Sequence, residues 1–488
     1  MIAPWQTVRT RLTETVGGRA RLRVIALLAA VLALDSADKA TVGAVAGELE
    51  ASLHIGNTEI GLLASVSTAI AMICTLPLGI VADRGNRSRL LAVAVLVWSA
   101  AMAVAGVSTS YLMLLLCQVA MGGIAAAAGP TIASLTGDLF PAGERGRIYG
   151  FVLSGELIGA GVGFLVSGDV AAVLSWRWSF WVLAVPGMAL AAAVWRGLPE
   201  PARGGQEPLP IEAPDGADAE PEPTEDRIRE AVDESDVEPR GTDVLTRDPT
   251  GRSLWWAVRY VLSIRTNRVL ILSSALGYFF FSGVRTFAVV FMRGKFGLDQ
   301  GVASSLLVLI GCGAIVGVLL TGRLADRLVA RHHLTARPVL AGAAYLLAVV
   351  MFVPGLLAGS LLLTGALFFF AAAGVGGSNP PLDAARLDVV HFALWGRAEA
   401  VRSVFRSLLE AVAPLLFGYV STLFGSSTAS LGSSGGVTSS NGVGLQQTFL
   451  VMLVPLLASG LLLCLRARRS YPADVAAAVA SERSTPAR

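Results

Sequence analysis

Apolar runs long enough to cross a bilayer recur twelve times along the chain, and no other feature limits its fold so tightly. They lie near residues 24–46, 59–82, 90–106, 111–137, 148–170 and 178–196. After a polar break they return near 268–292, 301–323, 338–357, 361–388, 401–424 and 447–466. Each is about 17–28 residues, enough for a hydrocarbon core of roughly 30 Å, with the longer ones tilted or overrunning it. The composition agrees. The 488 residues are 54% hydrophobic and 15% charged, whereas a soluble enzyme carries nearer a quarter charged residues. The 53 glycines suit closely packed membrane helices. The expected fold class is all-α and polytopic, with twelve transmembrane helices in two six-helix bundles.

Charge supplies the topology. The net charge of +3 hides an acidic stretch at 199–250, with about sixteen acids and five bases. Arg/Lys-rich segments fall at 9–23, 84–89, 145–147, 323–337 and 466–469, with Arg397 and Arg402 in another loop region. Alternate loops therefore share the positive bias, which places both termini and the middle linker in the cytoplasm. The positive excess beside the membrane implies no nucleic-acid partner.

The expected organisation is a cytoplasmic N-terminal segment at 1–23, a first bundle at 24–198, an acidic disordered linker at 199–250 and an interfacial helix at 251–267. A second bundle at 268–466 and a cytoplasmic tail at 467–488 follow. The linker is rich in Pro, Glu and Asp and lacks apolar periodicity. Residues 252–265 mix aromatics with arginines and suit a helix lying on the membrane surface. Residues 425–444 read as a Gly/Ser-rich external loop. The N-terminus reads as an uncleaved first helix, since no small-residue cleavage site follows its apolar core. Cys74, Cys117, Cys312 and Cys464 all fall in apolar runs and read as small core residues, while His54, His332, His333 and His391 show no ligand spacing. No metal and no cofactor is expected.

An internal repeat ties the two halves together. Gly79-Ile-Val-Ala-Asp83-Arg84 follows the second span and Gly322-Arg-Leu-Ala-Asp326-Arg327 follows the eighth. The stretch GIVADRGNRSRLL, 79–91, resembles the loop 2–3 signature of the major facilitator superfamily, with Gly79, Asp83, Arg84, Arg87 and Arg89 at matching positions. A glycine there permits close helix approach, and Asp83 can accept from arginines or cap a helix N-terminus. The chain is more narrowly similar to the spinster-like branch, which includes lysophospholipid and sphingolipid transporters. DSADKATVGAVAGELEASLHI resembles that branch's first helix and following loop, and FPAGERGRIYGFVLSGELIGAGVGF its helix 4–5 connection. GRAEAVRSVFRSLLEAVAPLLFGYVS resembles its eleventh helix. The branch carries Asp-Arg in helix one, where this chain has Asp38-Lys39. Its fourth helix carries an arginine and a glutamate, where this chain has Gln118 and Ala125.

Ionisable groups within spans are the functional candidates, because each costs a few kcal/mol or more unless it faces a cavity or a partner. Asp35, Asp38 and Lys39 project toward one side of helix one. Asp35 and Lys39, spaced i, i+4 with the acid first, suit an ion pair, which leaves Asp38 to titrate or to bind a cation. Glu156 in helix five, followed by Gly159, Gly161, Gly163 and Gly168, could pair with Lys39 or line a cavity in place of the missing helix-four acid. Arg285 lies among Phe279, Phe280, Phe281 and Phe287, which suits an anionic head group on an apolar body. Gln118, Tyr278 and Phe281 are further lining candidates. Glu410 stands one turn beyond Arg406, a plausible structural pair. Glu399 and Arg402, with Asp83, Asp326, Arg327 and Glu144–Arg145, read as gate and lock residues.

The chain shows no P-loop, so an ion gradient or the substrate's own gradient must drive any transport. The favoured reading is a secondary transporter, working by alternating access and exporting an amphipathic compound with protons. The partners expected are that compound, protons and the bilayer, with the chain a monomer. Uptake of a small organic anion or sugar, and a non-transporting sensor, are the alternatives. An enzyme is disfavoured by the scattered histidines. The Ala, Gly, Arg and Val bias points to a bacterium and hence an inner membrane.

Overall fold

A backbone in hydrocarbon must satisfy its own hydrogen bonds, and a helix does so within one segment. The computed structural model follows this rule throughout. It describes residues 18–140, 145–201, 252–331, 333–391, 394–429 and 437–484, with short pieces at 232, 237–239, 244–245 and 249. Among the described residues all regular structure is helical. Ten helical segments are long and apolar enough to span a membrane. They expose apolar side chains, among them Val93, Leu96, Leu319, Leu320 and Leu362. Most of the linker expected at 199–250 lies outside the described residues.

The chain divides into two compact units. The first takes its described residues from Met1–Glu220, with Ala288–Arg293 and Leu298–Ser305. Its helices are α1 (Arg19–Ala44), α2 (Ala46–Leu53), α3 (Asn57–Arg84), α4 (Arg87–Ala105), α5 (Tyr111–Ala125), α6 (Ala128–Leu139), α7 (Arg145–Val173) and α8 (Trp176–Gly197). Polar residues at the turns set the helix starts. The side chains of Asn86, Ser110 and Ser175 accept from the backbone N–H groups of Arg89, Met113 and Arg177, satisfying donors that a helix leaves open at its start.

The tightest packing in this unit joins α1 to α7. A Cβ at Gly155, Gly159 or Gly163 would collide with the backbone of Ala29, Ala33 or Ala37. The two series advance together by one turn at each step, so the glycine face of α7 lies directly on the α1 backbone. Gly161 faces open space. Above the stripe the Thr41 and Ser167 hydroxyls hydrogen-bond at 2.7 Å. This contact fixes the rotation of α1 and so the direction of its charged residues.

The second unit comprises described residues of Pro221–Phe287, Gly294–Gly297 and Leu306–Arg488. Its helices are α9 (Leu254–Ser263), α10 (Arg265–Phe296), α11 (Gln300–Val329), α12 (Ala336–Leu357), α13 (Leu361–Gly377), α14 (Asn379–Asp388), α15 (Trp395–Ala429), α16 (Val437–Leu462) and α17 (Arg468–Ser484). Helices α10 and α11 also contribute residues to the first unit. An aromatic core holds the second unit. Phe280 meets Phe352 at 5.1 Å, Phe352 meets Phe368 at 5.1 Å, and Phe417 meets Phe449 at 5.6 Å.

Several boundaries differ from the sequence expectation. The span at 111–137 is two helices meeting at Ala126–Ala127, and the span at 361–388 is two helices meeting at Ser378. Pro380 and Pro381 at the start of α14 lack the N–H groups needed to continue the preceding helix. The loop expected at 425–444 is helical on both sides, since α15 runs to Ala429 and α16 resumes at Val437. The surface helix expected at 251–267 is shorter, at Leu254–Ser263, with Trp255 exposed and Trp256 stacked on Tyr260. The tail expected at 467–488 is helical over 468–484. It follows α16 through a π turn at Leu463–Ala467, and its Tyr471, Asp474 and Val475 are buried. Asp474 accepts from the Thr266 N–H at the start of α10 at 2.8 Å. Of the cysteines expected in the core, only Cys117 is buried and Cys312 is exposed.

The glycine stripe gives a paired prediction. Gly159→Ala forces a methyl into the Ala33 carbonyl and should destabilise the protein by roughly 1–3 kcal/mol, read as a lower melting temperature in detergent. Gly161→Ala, facing open space, should leave the melting temperature unchanged or slightly raised. Equal effects of the two substitutions would contradict the packing.

Candidate functional site

The charged residues of α1 lie together, as their spacing predicts. Lys39 Nζ donates to Asp35 Oδ2 at 2.6 Å, and both side chains are partly exposed. The pair neutralises itself. Asp38, one residue before Lys39, is only 4% exposed. Its Oδ2 accepts from the indole Nε1 of Trp98 at 3.3 Å. Its Oδ1 is buried and has no hydrogen-bond partner among the described residues. Gln118 on α5 is also buried, and its Nε2 has no hydrogen-bond partner among the described residues. Glu156 is half-buried on α7, next to the Gly155 that packs on α1.

In the second unit Glu410 of α15 receives two guanidiniums. Arg285 of α10 approaches it at 3.2 Å and Arg406 at 3.6 Å. The Arg406–Glu410 pair is therefore present, and Arg285 is a further member. Aromatic faces flank both cations, with Arg406 3.6 Å from the centre of the Tyr278 ring and Arg285 5.8 Å from that of Phe281. The Nε of Arg285 is buried without a hydrogen-bond partner among the described residues. Further along α15, Arg402 pairs with Glu399 at 2.6 Å and with Asp383 at 3.2 Å. Arg386 also pairs with Glu399. These four arginines are thus arranged around three carboxylates.

The signature region contributes a different group. Arg87 is buried at the start of α4 and bonds to Asp138 of α6, to Glu200 at 2.9 Å and to the Ser134 hydroxyl at 2.9 Å. Glu200 also accepts from the Ser88 N–H at 2.8 Å and so caps α4. The second unit repeats the arrangement. Arg337 at the start of α12 pairs with Asp388 at the end of α14, and the Tyr471 hydroxyl donates to Asp388. The separation from arginine to aspartate is 51 residues in both units.

The remaining gate candidates are dispersed. Arg89 is exposed, its guanidinium 5.9 Å from the centre of the Trp195 ring. Asp326 is exposed and lies 4.0 Å from Arg337, and Arg327 is exposed beside it. Gly79, Asp83 and Arg84 lie at the C-terminal end of α3 and Arg145 begins α7, but their side chains, and all of Glu144, lie outside the described residues. Sequence reasoning missed Trp98, Asp138, Glu200, Arg337, Asp383, Arg386 and Asp388. The period of the repeat, 243 residues from Gly79 to Gly322, falls seven short of the 250 that separate Arg87 from Arg337 and Asp138 from Asp388, so the repeat does not mark them. No sequence signal marks Trp98.

A further acidic cluster sits on α2, outside the ten candidate spans. Arg293 donates to Glu48 at 2.8 Å and to Gln300 at 2.8 Å. Burial pushes the Glu50 carboxyl up to about 7, opposed by Arg293 and reinforced by Glu48. Its Oε1 has no hydrogen-bond partner among the described residues. Because the folded carboxyl binds its proton more tightly than the unfolded one, its stabilising contribution is complete below pH about 4.5 and is lost as pH rises through about 7. Glu50→Gln should therefore match the wild-type melting temperature near pH 4.5. Its advantage should grow to roughly 1–3 kcal/mol by pH 8. A constant difference between the two proteins across that range would contradict the burial argument.

Comparisons with known proteins bear on these arrangements. A family model described as the Major Facilitator Superfamily matches residues 27–414. Protein spinster homolog 1 of Homo sapiens is 28% identical over 207 residues, covering 42% of this chain and 39% of that protein. Protein spinster homolog 1 of Xenopus tropicalis is 27% identical over 179 residues, covering 36% and 34%. The chain thus spans between a third and two-fifths of the length of these relatives. The crystal structure of a bacterial homolog to the human lysosomal transporter Spinster, inward-facing and unoccupied, superposes with a TM-score of 0.75 at 19% identity. It covers 93% of this chain and 98% of that one, a likeness of fold. With a family model matched from α1 into α15 and two helical units that repeat one arginine–aspartate pair, the chain belongs to the Major Facilitator Superfamily, a family of transporters and not of enzymes.

Proposed function

We propose that the chain is a secondary active transporter working by alternating access, coupling proton movement to the export of an amphipathic compound, lysolipid-like or drug-like. The observation that carries the reading is Asp38. It is a carboxylate buried in a spanning helix, beside an ion pair that neutralises itself, with one oxygen unpartnered. Such a group is expensive to keep unless it performs a task. A carboxylate in that setting can take up a proton and later release it when water reaches it. Arg285 and Arg406, gathered on the single carboxylate of Glu410 and flanked by Tyr278 and Phe281, favour a substrate with an anionic group on an apolar body. The same arginines favour the second reading, a small organic anion.

In this reading α1 and the α5–α6 pair join the ten candidate spans to give twelve. Ionisable residues in α1 and the break at Ala126–Ala127 interrupt these two. The bacterial inner membrane is the proposed location, with both termini cytoplasmic, supported by the arginine-rich alternate loops. The ion pairs of Arg87 and Arg337 stand near the ends of the two signature helices and suit a lock on that side.

Flux in proteoliposomes tests the proposal, with lysophospholipids, cationic and anionic drugs, small organic anions and sugars, with and without a pH gradient. Wild type should move an amphipath faster under the gradient, and Asp38→Asn should lose at least about tenfold of that gradient-driven component. Unchanged gradient-driven flux in Asp38→Asn would remove the coupling role. Sugar flux with no amphipath flux would remove the export reading.

A further inference from the structure

We infer that Trp98 is the positioning residue for Asp38, holding one carboxylate oxygen so that the proton is carried on the other. The inference rests on the coupling role proposed for Asp38 and assigns the atom at which it acts. Trp98 lies on α4, 60 residues from Asp38 in sequence, and is 5% exposed within the core of the first unit. Its Nε1 donates to Oδ2 of Asp38 at 3.3 Å.

An indole N–H is a donor only, with no acceptor to offer in return. It can therefore bond Oδ2 whether Asp38 is ionised or neutral, but it cannot receive a hydroxyl hydrogen from that oxygen. When Asp38 gains a proton, the O–H forms at Oδ1, the buried oxygen without a partner. When the proton leaves, the electron pair of that O–H bond stays on Oδ1 and the indole bond to Oδ2 strengthens, because its acceptor is now charged. Trp98 thus selects the proton-bearing oxygen and favours the ionised state relative to an apolar neighbour.

Charged groups acting on Asp38 come from its own helix, where Asp35 and Lys39 are opposed in sign and paired. On α7 and α8 the residues placed against this stretch of α1 are uncharged. On α7, Gly163 lies against Ala37 and Ser167 bonds Thr41. On α8, Gly187 lies against Leu34 and Ser99. Among the described residues, the indole N–H is the hydrogen bond to Asp38 that comes from outside α1.

The test follows Asp38 itself and needs no substrate. The protein is labelled with carboxyl-¹³C aspartate, placed in lipid nanodiscs and titrated by NMR between pH 4 and 9, with Asp38→Asn assigning the signal. Trp98→Phe keeps a ring in the core and deletes the N–H. It should move the Asp38 midpoint to higher pH by about half to one unit, with the melting temperature within a few degrees of wild type. An unmoved midpoint would show that Trp98 only packs. A signal that never titrates in wild type would remove the coupling reading and this inference with it. If Trp98→Phe does not fold, the wild-type Trp98 indole ¹⁵N–¹H signal supplies the answer. It should titrate with the Asp38 midpoint and be flat in Asp38→Asn, and a signal flat in both proteins would overturn the assignment.

Discussion

A charged group inside a membrane-spanning helix must find a partner, and the partners found here organise both halves of the molecule. Where hydrocarbon and packed side chains keep water out, the desolvation of such a group is offset by opposite charge or by hydrogen bonds. In α1, Asp35 and Lys39 meet that demand for each other. On α15, Glu410 meets it for two arginines, and Glu399 with Asp383 of α14 for two more. Asp38 meets it less fully, since its single indole bond leaves an oxygen unpartnered among the described residues. Its position depends on the packing of α1 against the glycines of α7, because a rotation of α1 would turn Asp38 away from Trp98.

The two arginine–aspartate pairs show the repeated architecture in chemical detail. Arg87 and Arg337 each begin the third helix of a half and each reach an aspartate 51 residues on. The third partner differs between halves. In the first it is Glu200, the residue at which the acidic segment begins. In the second it is Tyr471, on a helix after the last span. Both halves therefore use chain that follows their final span to close the same buried group. The segment expected as a cytoplasmic tail packs into the second unit over residues 468–484, where it also caps α10 through Asp474.

Much of the fold was legible because hydropathy over twenty residues is a property of the segment alone. The Asp35–Lys39 and Arg406–Glu410 pairs were legible for a similar reason, since both partners lie one turn apart on one helix. Partners brought together by tertiary packing were not. Arg87 stood out in the signature, while Asp138 and Glu200 looked like ordinary helix-end acids. Trp98 looked like one apolar residue among many in its span, because only the fold brings its N–H to Asp38. The break at Ser378 had a signal in Asn379-Pro380-Pro381, whereas the break at Ala126–Ala127 lies in a run of small residues that favours helix. Helix α17 was hidden because its sequence is polar on average and is buried only by its contacts.

The proton-carrying role proposed for Asp38 is tested most directly by infrared difference spectroscopy of the purified protein in lipid between acidic and alkaline pH. A buried carboxyl that changes protonation exchanges a carboxylic acid C=O band for carboxylate bands. Wild type is predicted to show such a band, and Asp38→Asn, with its fold intact, is predicted to lack that component. A difference spectrum that is the same in both proteins would contradict the role and leave Asp38 as a structural contact of α1.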